Sequence, residues 1–225
     1  MSLGSVVVTG AGDGIGRAIA IRLAVDGWNV VGLELDRKAT DALAKTLGEG
    51  HRALCGDASD RAVLKAAREA AEELAPLRGW VNNVGIALMG NLHEPNTPEV
   101  ERLFQVNLMS HFWGSSEAIQ TWVKDRVTGS IVNVSSVHGR SAFNMWAAYD
   151  VAKAGIDALT RYIAVEYGPI GIRANAVAPG AVRTPWFNAS FATVQTAPSP
   201  NGKCRSSTRS SASASLKKSR PLSHG

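Results

Sequence analysis

The sequence predicts a single doubly wound α/β domain on a parallel sheet, and three observations predict it. Apolar runs of strand length alternate with amphipathic stretches of helical length from the first residues onward. The strand runs are apolar throughout, as suits parallel strands buried on both faces. A glycine-rich turn joins the first run to the first helix. Strands are expected at Ser5–Thr9, Asn29–Leu35, Arg52–Leu54, Gly79–Asn82, Ser130–Val134 and Ile172–Val177. Helices are expected at Gly16–Val25, Arg37–Leu47, Ser59–Leu74, Thr97–Val123 and Ala147–Tyr167, several opened by Asp, Ser or Thr. Right-handed crossovers then place the six strands in the order 3-2-1-4-5-6.

Composition narrows the function classes. The 225 residues are 45% hydrophobic and 19% charged, which fits a globular chain and excludes fibrous or wholly disordered ones. No run approaches 18 apolar residues, and the first strand begins at Ser5, so neither a membrane span nor a signal peptide is expected and the cytosol is the expected compartment. Cys55 and Cys204 lie far apart without metal-ligand spacing, which predicts free thiols and no metal site. The formal charge of +5 suggests a nucleic-acid partner until it is located. Residues 189–225 hold six basic residues and no acid, whereas residues 1–188 hold 18 basic and 19 acidic ones. The expected folded domain is therefore not basic, and no nucleic-acid partner is expected. With ten serines and four large apolar side chains, residues 189–225 are expected to form a disordered, low-complexity tail after a domain spanning 1–188.

Two constellations carry chemistry. Thr9, Gly10, Gly14 and Gly16 follow the first strand in the spacing TGxxxGxG, with Gly12, Asp13 and Ile15 between them. Glycines there permit a tight turn and let backbone amides at a helix start approach a pyrophosphate. Asp36, about twenty residues on, is an expected acceptor for the two hydroxyls of an adenosine ribose. That carboxylate, with Asp13, favours NAD over NADP, while Arg37 is the residue that argues for a 2′-phosphate. Asp57, after the third strand, is expected either to bind the adenine amino group or to cap the next helix. Tyr149 and Lys153 stand four apart on one helical face, which puts an ammonium near a phenol. A free tyrosine has a pKa of about 10, and bringing it near neutrality requires the phenolate to be favoured by about 4 kcal/mol.

Taken in order, Thr9 to Gly16, Asn82-Asn83-Val84-Gly85, Asn107, Ser136, Tyr149 with Lys153, and Pro179-Gly180 resemble the short-chain dehydrogenase/reductase family. The resemblance covers Val6 to about Phe187. It implies a Rossmann fold, a nicotinamide cofactor and hydride transfer between that cofactor and a carbonyl or secondary alcohol. It implies that Tyr149 is the general acid/base, that Lys153 lowers its pKa and holds the nicotinamide ribose, and that Ser136 orients the reacting carbonyl, with Ser135 the weaker candidate. Asn107 matches a helix-kinking residue that positions a water on the proton route. Asn83 and Gly85 match the segment beside the cofactor, and Pro179, Gly180, Val182 and Thr184 match the loop over the nicotinamide. Val84 departs mildly from the usual alanine.

Beyond Asn188 the lid, helix and seventh strand usual in the family are absent from the pattern, which leaves the sixth strand as an apolar edge and favours a homo-oligomeric dimer over a tetramer. His51, His93 and His138 are expected to be solvated loop residues. Phe143, Met145, Trp146 and Trp186 are expected to line a cleft for a small-molecule substrate or to pack in the core. The first functional expectation is NAD-dependent oxidation of a secondary alcohol or reduction of the matching ketone. The alternatives are an NADPH-dependent reductase of 3-oxoacyl thioesters and a dinucleotide-binding protein whose altered C-terminus has impaired catalysis.

Overall fold

The computed structural model describes residues 2–182. Its six strands are β1 (Ser5–Thr9), β2 (Asn29–Glu34), β3 (Arg52–Cys55), β4 (Leu77–Asn82), β5 (Gly129–Val134) and β6 (Ile172–Val177). They form one parallel sheet in the order β3-β2-β1-β4-β5-β6, as expected from the sequence. The strand order reverses between β1 and β4, so the crevice at their carboxyl ends is the place where such folds bind ligands.

Helices α1 (Gly14–Val25) and α2 (Arg37–Leu47) cover one face, and α3 (Arg61–Leu74), α5 (Ser110–Asp125) and α6 (Ala147–Tyr167) cover the other. Alternation along the strands divides the core accordingly. Val6, Val8 and Val30 pack with Ala20 and Leu43 on the first face, while Val7, Val31 and Ile131 pack with Leu64, Trp122 and Ile163 on the second. Among the described residues β6 pairs only with β5, and Arg173, Asn175 and Val177 are exposed. Thr184, Trp186, Cys204 and the tail expected at 189–225 lie outside the described residues.

The stretch expected as one helix over Thr97–Val123 is interrupted. It divides into α4 (Thr97–Phe104), a π-turn at Gln105–Met109, and α5. The cause lies at Asn107, whose side chain leaves the helix register to bind loop backbone: Oδ1 accepts from the Ile86 N–H at 2.7 Å and Nδ2 donates to the Ile86 carbonyl at 2.8 Å.

A close approach fixes the far end of β5. A Cβ on Gly129 would sit 2.2 Å from the ring of Trp122, which is itself fully buried and donates from Nε1 to the Leu77 carbonyl at 2.9 Å. Gly129→Ala is expected to destabilise the domain by about 1–3 kcal/mol through overpacking, measured by urea unfolding. An unchanged midpoint would show that Trp122 can yield.

Candidate active site

The glycine turn is built as its spacing predicts. Gly10 and Gly14 adopt φ of +63° and +52°, values that favour glycine, and a Cβ on Gly16 would lie 1.9 Å from the Gly10 carbonyl oxygen. Asp13 caps α1, accepting from the Gly14 N–H at 2.7 Å. The side chains of Thr9 and Asn83 brace the switch point. Thr9 Oγ1 accepts from the Asn83 and Val84 N–H groups, and Asn83 Nδ2 donates to the Thr9 and Gly10 carbonyls at 3.1 and 3.0 Å. Thr9 thus holds β1 to β4 and does not line the cleft.

The cleft beside this turn has a volume of about 570 Å³, within the range of small-molecule sites. At one end stand Gly10, Asp13, Gly14, Ile15 and Glu34. Asn83, Gly85 and Lys153 lie along it, and Ser136, Tyr149, Pro179, Gly180 and Val182 close the other end. A larger groove of about 810 Å³ between α3 and α5 is lined by Arg68, Glu72 and Glu117. There Arg68 pairs with both acids, so these charges are mutually satisfied.

Three expectations are corrected by the geometry. Asp36 lies beyond the end of β2, where Oδ1 accepts from the Ala39 N–H at 2.7 Å as the N-cap of α2, and neither Asp36 nor Arg37 lines the cleft. The acid that faces the glycine turn is Glu34, two residues earlier, whose Oε2 accepts from the Gly12 N–H at 2.9 Å. An Asp directly before an amphipathic run is a helix-start signal, and heeding it would have reserved Asp36 for α2 and pointed to Glu34. Asp57 does not cap a helix, because Asp60 caps α3. Asp57 lines the cleft and accepts from Ser59 and from Arg102, with Arg102 Nη2 at 2.6 Å, and these bonds hold its carboxyl below the usual range against the opposing effect of burial. His138 is not a solvated loop residue but part of the cleft wall, its side chain only 17% exposed. His51 accepts from the Val30 N–H.

At the far end the chemical groups converge. Lys153 is 3% exposed; its Nζ donates to the Val134 carbonyl at 3.0 Å and lies 5.5 Å from the centre of the Tyr149 ring. Burial lowers its pKa to about 8, against the pull of Asp157. Gly85 passes close to both groups, a Cβ there making ordinary contact at 3.5 Å from Asn107 Oδ1 and 3.7 Å from Lys153 Nζ. The sequence led us to expect Lys153 and a positively charged nicotinamide together to lower the Tyr149 pKa. In the folded chain burial raises it above 10, Asp150 adds to the rise, and a hydrogen bond with the Ser136 hydroxyl opposes it. Ser135 is otherwise engaged, donating to the Lys153 carbonyl at 3.3 Å.

Comparison with known proteins agrees with this geometry. The family described as short chain dehydrogenase matches residues 5–195, and the chain belongs to that family. A 3beta-hydroxysteroid dehydrogenase of Eggerthella lenta is 36% identical over 186 residues, covering 80% of this chain and 71% of the relative. A levodione reductase of Leifsonia aquatica is 34% identical over 187 residues, covering 80% and 70%. A crystal structure of levodione reductase matches with a TM-score of 0.79 at 31% identity over 86% of this chain and 78% of that one. An actinorhodin polyketide ketoreductase solved with NADPH matches at 0.82 and 26% identity over 87% and 78%. The protein is accordingly an oxidoreductase with a nicotinamide dinucleotide as cofactor. The positive-φ glycine turn fits that group, because Gly10 and Gly14 line the cleft at the start of α1 without side chains to fill it.

The burial of Lys153 has a measurable signature. Its folded pKa of about 8 lies below the ordinary 10.5, so between those values the unfolded chain holds a proton that the folded one has released, and stability rises with pH. Wild type should therefore gain on Lys153→Met by up to about 3 kcal/mol between pH 8 and 10.5 in urea unfolding. A pH-independent difference would contradict the assignment.

Proposed function

We propose that the protein transfers a hydride between NAD(H) and a secondary alcohol or its ketone, with an apolar-bodied small molecule as substrate. The observation that carries this reading is the convergence of Tyr149, Ser136 and Lys153 on one end of a cleft whose other end is the glycine turn and Glu34. Bound NAD(H) supplies the hydride acceptor or donor. Gly10, Gly14 and Ile15 hold its diphosphate, Glu34 binds the adenosine ribose in the role first read for Asp36, and Asp57 faces the adenine. Asn83, Gly85, Pro179, Gly180 and Val182 line the nicotinamide half. A 2′-phosphate would meet Glu34 as a like charge, and Arg37, the residue that argued for NADP, does not reach the cleft. These charges favour NAD(H) over the NADPH of the alternative thioester-reductase reading.

Within this reading Tyr149 holds the proton exchanged with the substrate oxygen, and Ser136 hydrogen-bonds the same oxygen. Lys153 favours the phenolate form and binds the nicotinamide ribose, while Asn107 secures the loop at Ile86 beside it. Phe143 and Trp146 line the cleft and supply apolar surface for the substrate. No described helix is long and apolar enough to cross a membrane. Exposed Phe112 and Val123 on α5, with Val151, Tyr162 and Val165 on α6, support a homodimer through these helices.

Tyr149→Phe is expected to lower kcat/KM by at least about 100-fold while NADH binding, followed by fluorescence, stays within a few-fold. Equal turnover by the variant would remove Tyr149 from the chemistry. Ketone reduction by wild type is expected to fall as pH rises through about 8, where Lys153 loses its charge, and to be level below that. A profile level to pH 9.5 would contradict a charged Lys153 in the step.

A further inference from the structure

Asp150, the residue after Tyr149, holds two groups that line the cleft. Its Oδ1 bonds to His138 Nδ1 at 2.5 Å, and its Oδ2 accepts from the Phe143 N–H at 2.9 Å. A carboxylate with both oxygens engaged by N–H groups can only accept, so Nδ1 carries a proton and Nε2 is the ring nitrogen left to take a hydrogen bond. Among the described residues Nε2 has no hydrogen-bond partner, and His138 is part of the cleft wall.

The imidazole is held on every side. It packs on Phe143 with ring centres 4.1 Å apart, and stands edge-on to Trp146 at 5.2 Å and to Tyr149 at 5.1 Å. Its backbone N–H donates to Ser136 Oγ at 3.3 Å, so the two side chains ride one short turn. The following loop is fixed in turn: the Gly90 N–H donates to the Met145 carbonyl at 2.8 Å, and Met145 takes φ +69°, a conformation costly for a side chain of that size. An oriented acceptor in an otherwise aromatic corner is left unpaired by a substrate that offers it nothing, and such unpaired groups discriminate strongly.

We propose that His138 is a specificity-determining residue whose Nε2 accepts a hydrogen bond from a second hydroxyl of the substrate. The inference rests on reading this cleft as the active site. His138 rides the same short turn as Ser136 and its ring stands edge-on to Tyr149, which puts that hydroxyl near the reacting carbon. The substrate class is thereby narrowed to diols and hydroxyketones with neighbouring oxygens.

The test compares kcat/KM for 1,2-cyclohexanediol and cyclohexanol in wild type, His138→Phe and His138→Gln. Wild type should prefer the diol by about tenfold or more, Phe should bring the ratio near one, and Gln, which keeps an acceptor, should restore part of it. Equal diol-to-alcohol ratios in wild type and His138→Phe overturn the proposal. A second readout does not need turnover: the ¹⁵N resonance of His138 Nε2, assigned by its loss in His138→Gln, is followed in protein with NADH as each alcohol is added. A shift with the diol and none with cyclohexanol supports the proposal; a shift with both or with neither overturns it. Tyr149-independent turnover, or none at all, would instead sink the reading of the cleft as the active site, and the resonance would still decide the role of His138 as a hydroxyl acceptor.

Discussion

A lysine ammonium lies inside this protein, and much of the architecture around it serves to hold that charge where water cannot. Burial of a cation is unfavourable unless polar groups replace the lost hydration. Here the replacements are the Val134 carbonyl at the end of β5 and the field of Asp157, one turn further along α6. Asp157 is itself buried, with Arg140 at 3.5 Å from Oδ2. The charge is thereby tied to the sheet, to its own helix and to the loop after β5, and it fixes all three relative to Tyr149. Held this way, Lys153 sets position as much as acidity, because burial, with Asp150 adding to it, keeps the phenol above its ordinary pKa.

Beneath the cleft a chain of buried side-chain hydrogen bonds supplies a rigid floor. Trp80 donates to Asn82, Asn82 donates to Asn133 and Ser115, and Asn133 donates to Thr160, linking β4, β5, α5 and α6. His111 adds a bond from Nε2 to the Val84 carbonyl, and burial drives its pKa to about 3, so it stays a neutral donor. Networks of this kind are costly when half satisfied and specify one arrangement when complete. This one fixes Asn83, Val84 and Gly85 from below, while Thr9 and Asn107 fix the same segment from its two sides.

The framework was legible in the sequence because buried parallel strands leave short apolar runs, told from buried helix by their length and flanking turn residues, and crossover handedness then limits the order. Helix α2, α6 and β6 begin and end where their patterns do. Other features depended on contacts that no local pattern records. The π-turn at Asn107 exists because a side chain bonds to Ile86, twenty-one residues away. The identity of the acid at the end of β2 turned on whether Asp36 belonged to the strand or to the helix, a difference of two residues. His138 and Asp150 are twelve residues apart and meet only because a short turn folds the loop back over α6. Spacing alone had left that histidine among the solvated ones.

The central claim is that the protein positions the Tyr149 phenol beside a buried cation without itself making the phenol acidic. Ultraviolet titration of tyrosine ionisation, as the difference between wild type and Tyr149→Phe, tests this most directly. The account predicts that the residue titrates above 10 in the protein alone and at a lower pH once NAD⁺ adds its positive charge. Ionisation near neutrality without NAD⁺, or a titration that NAD⁺ leaves unmoved, would contradict it.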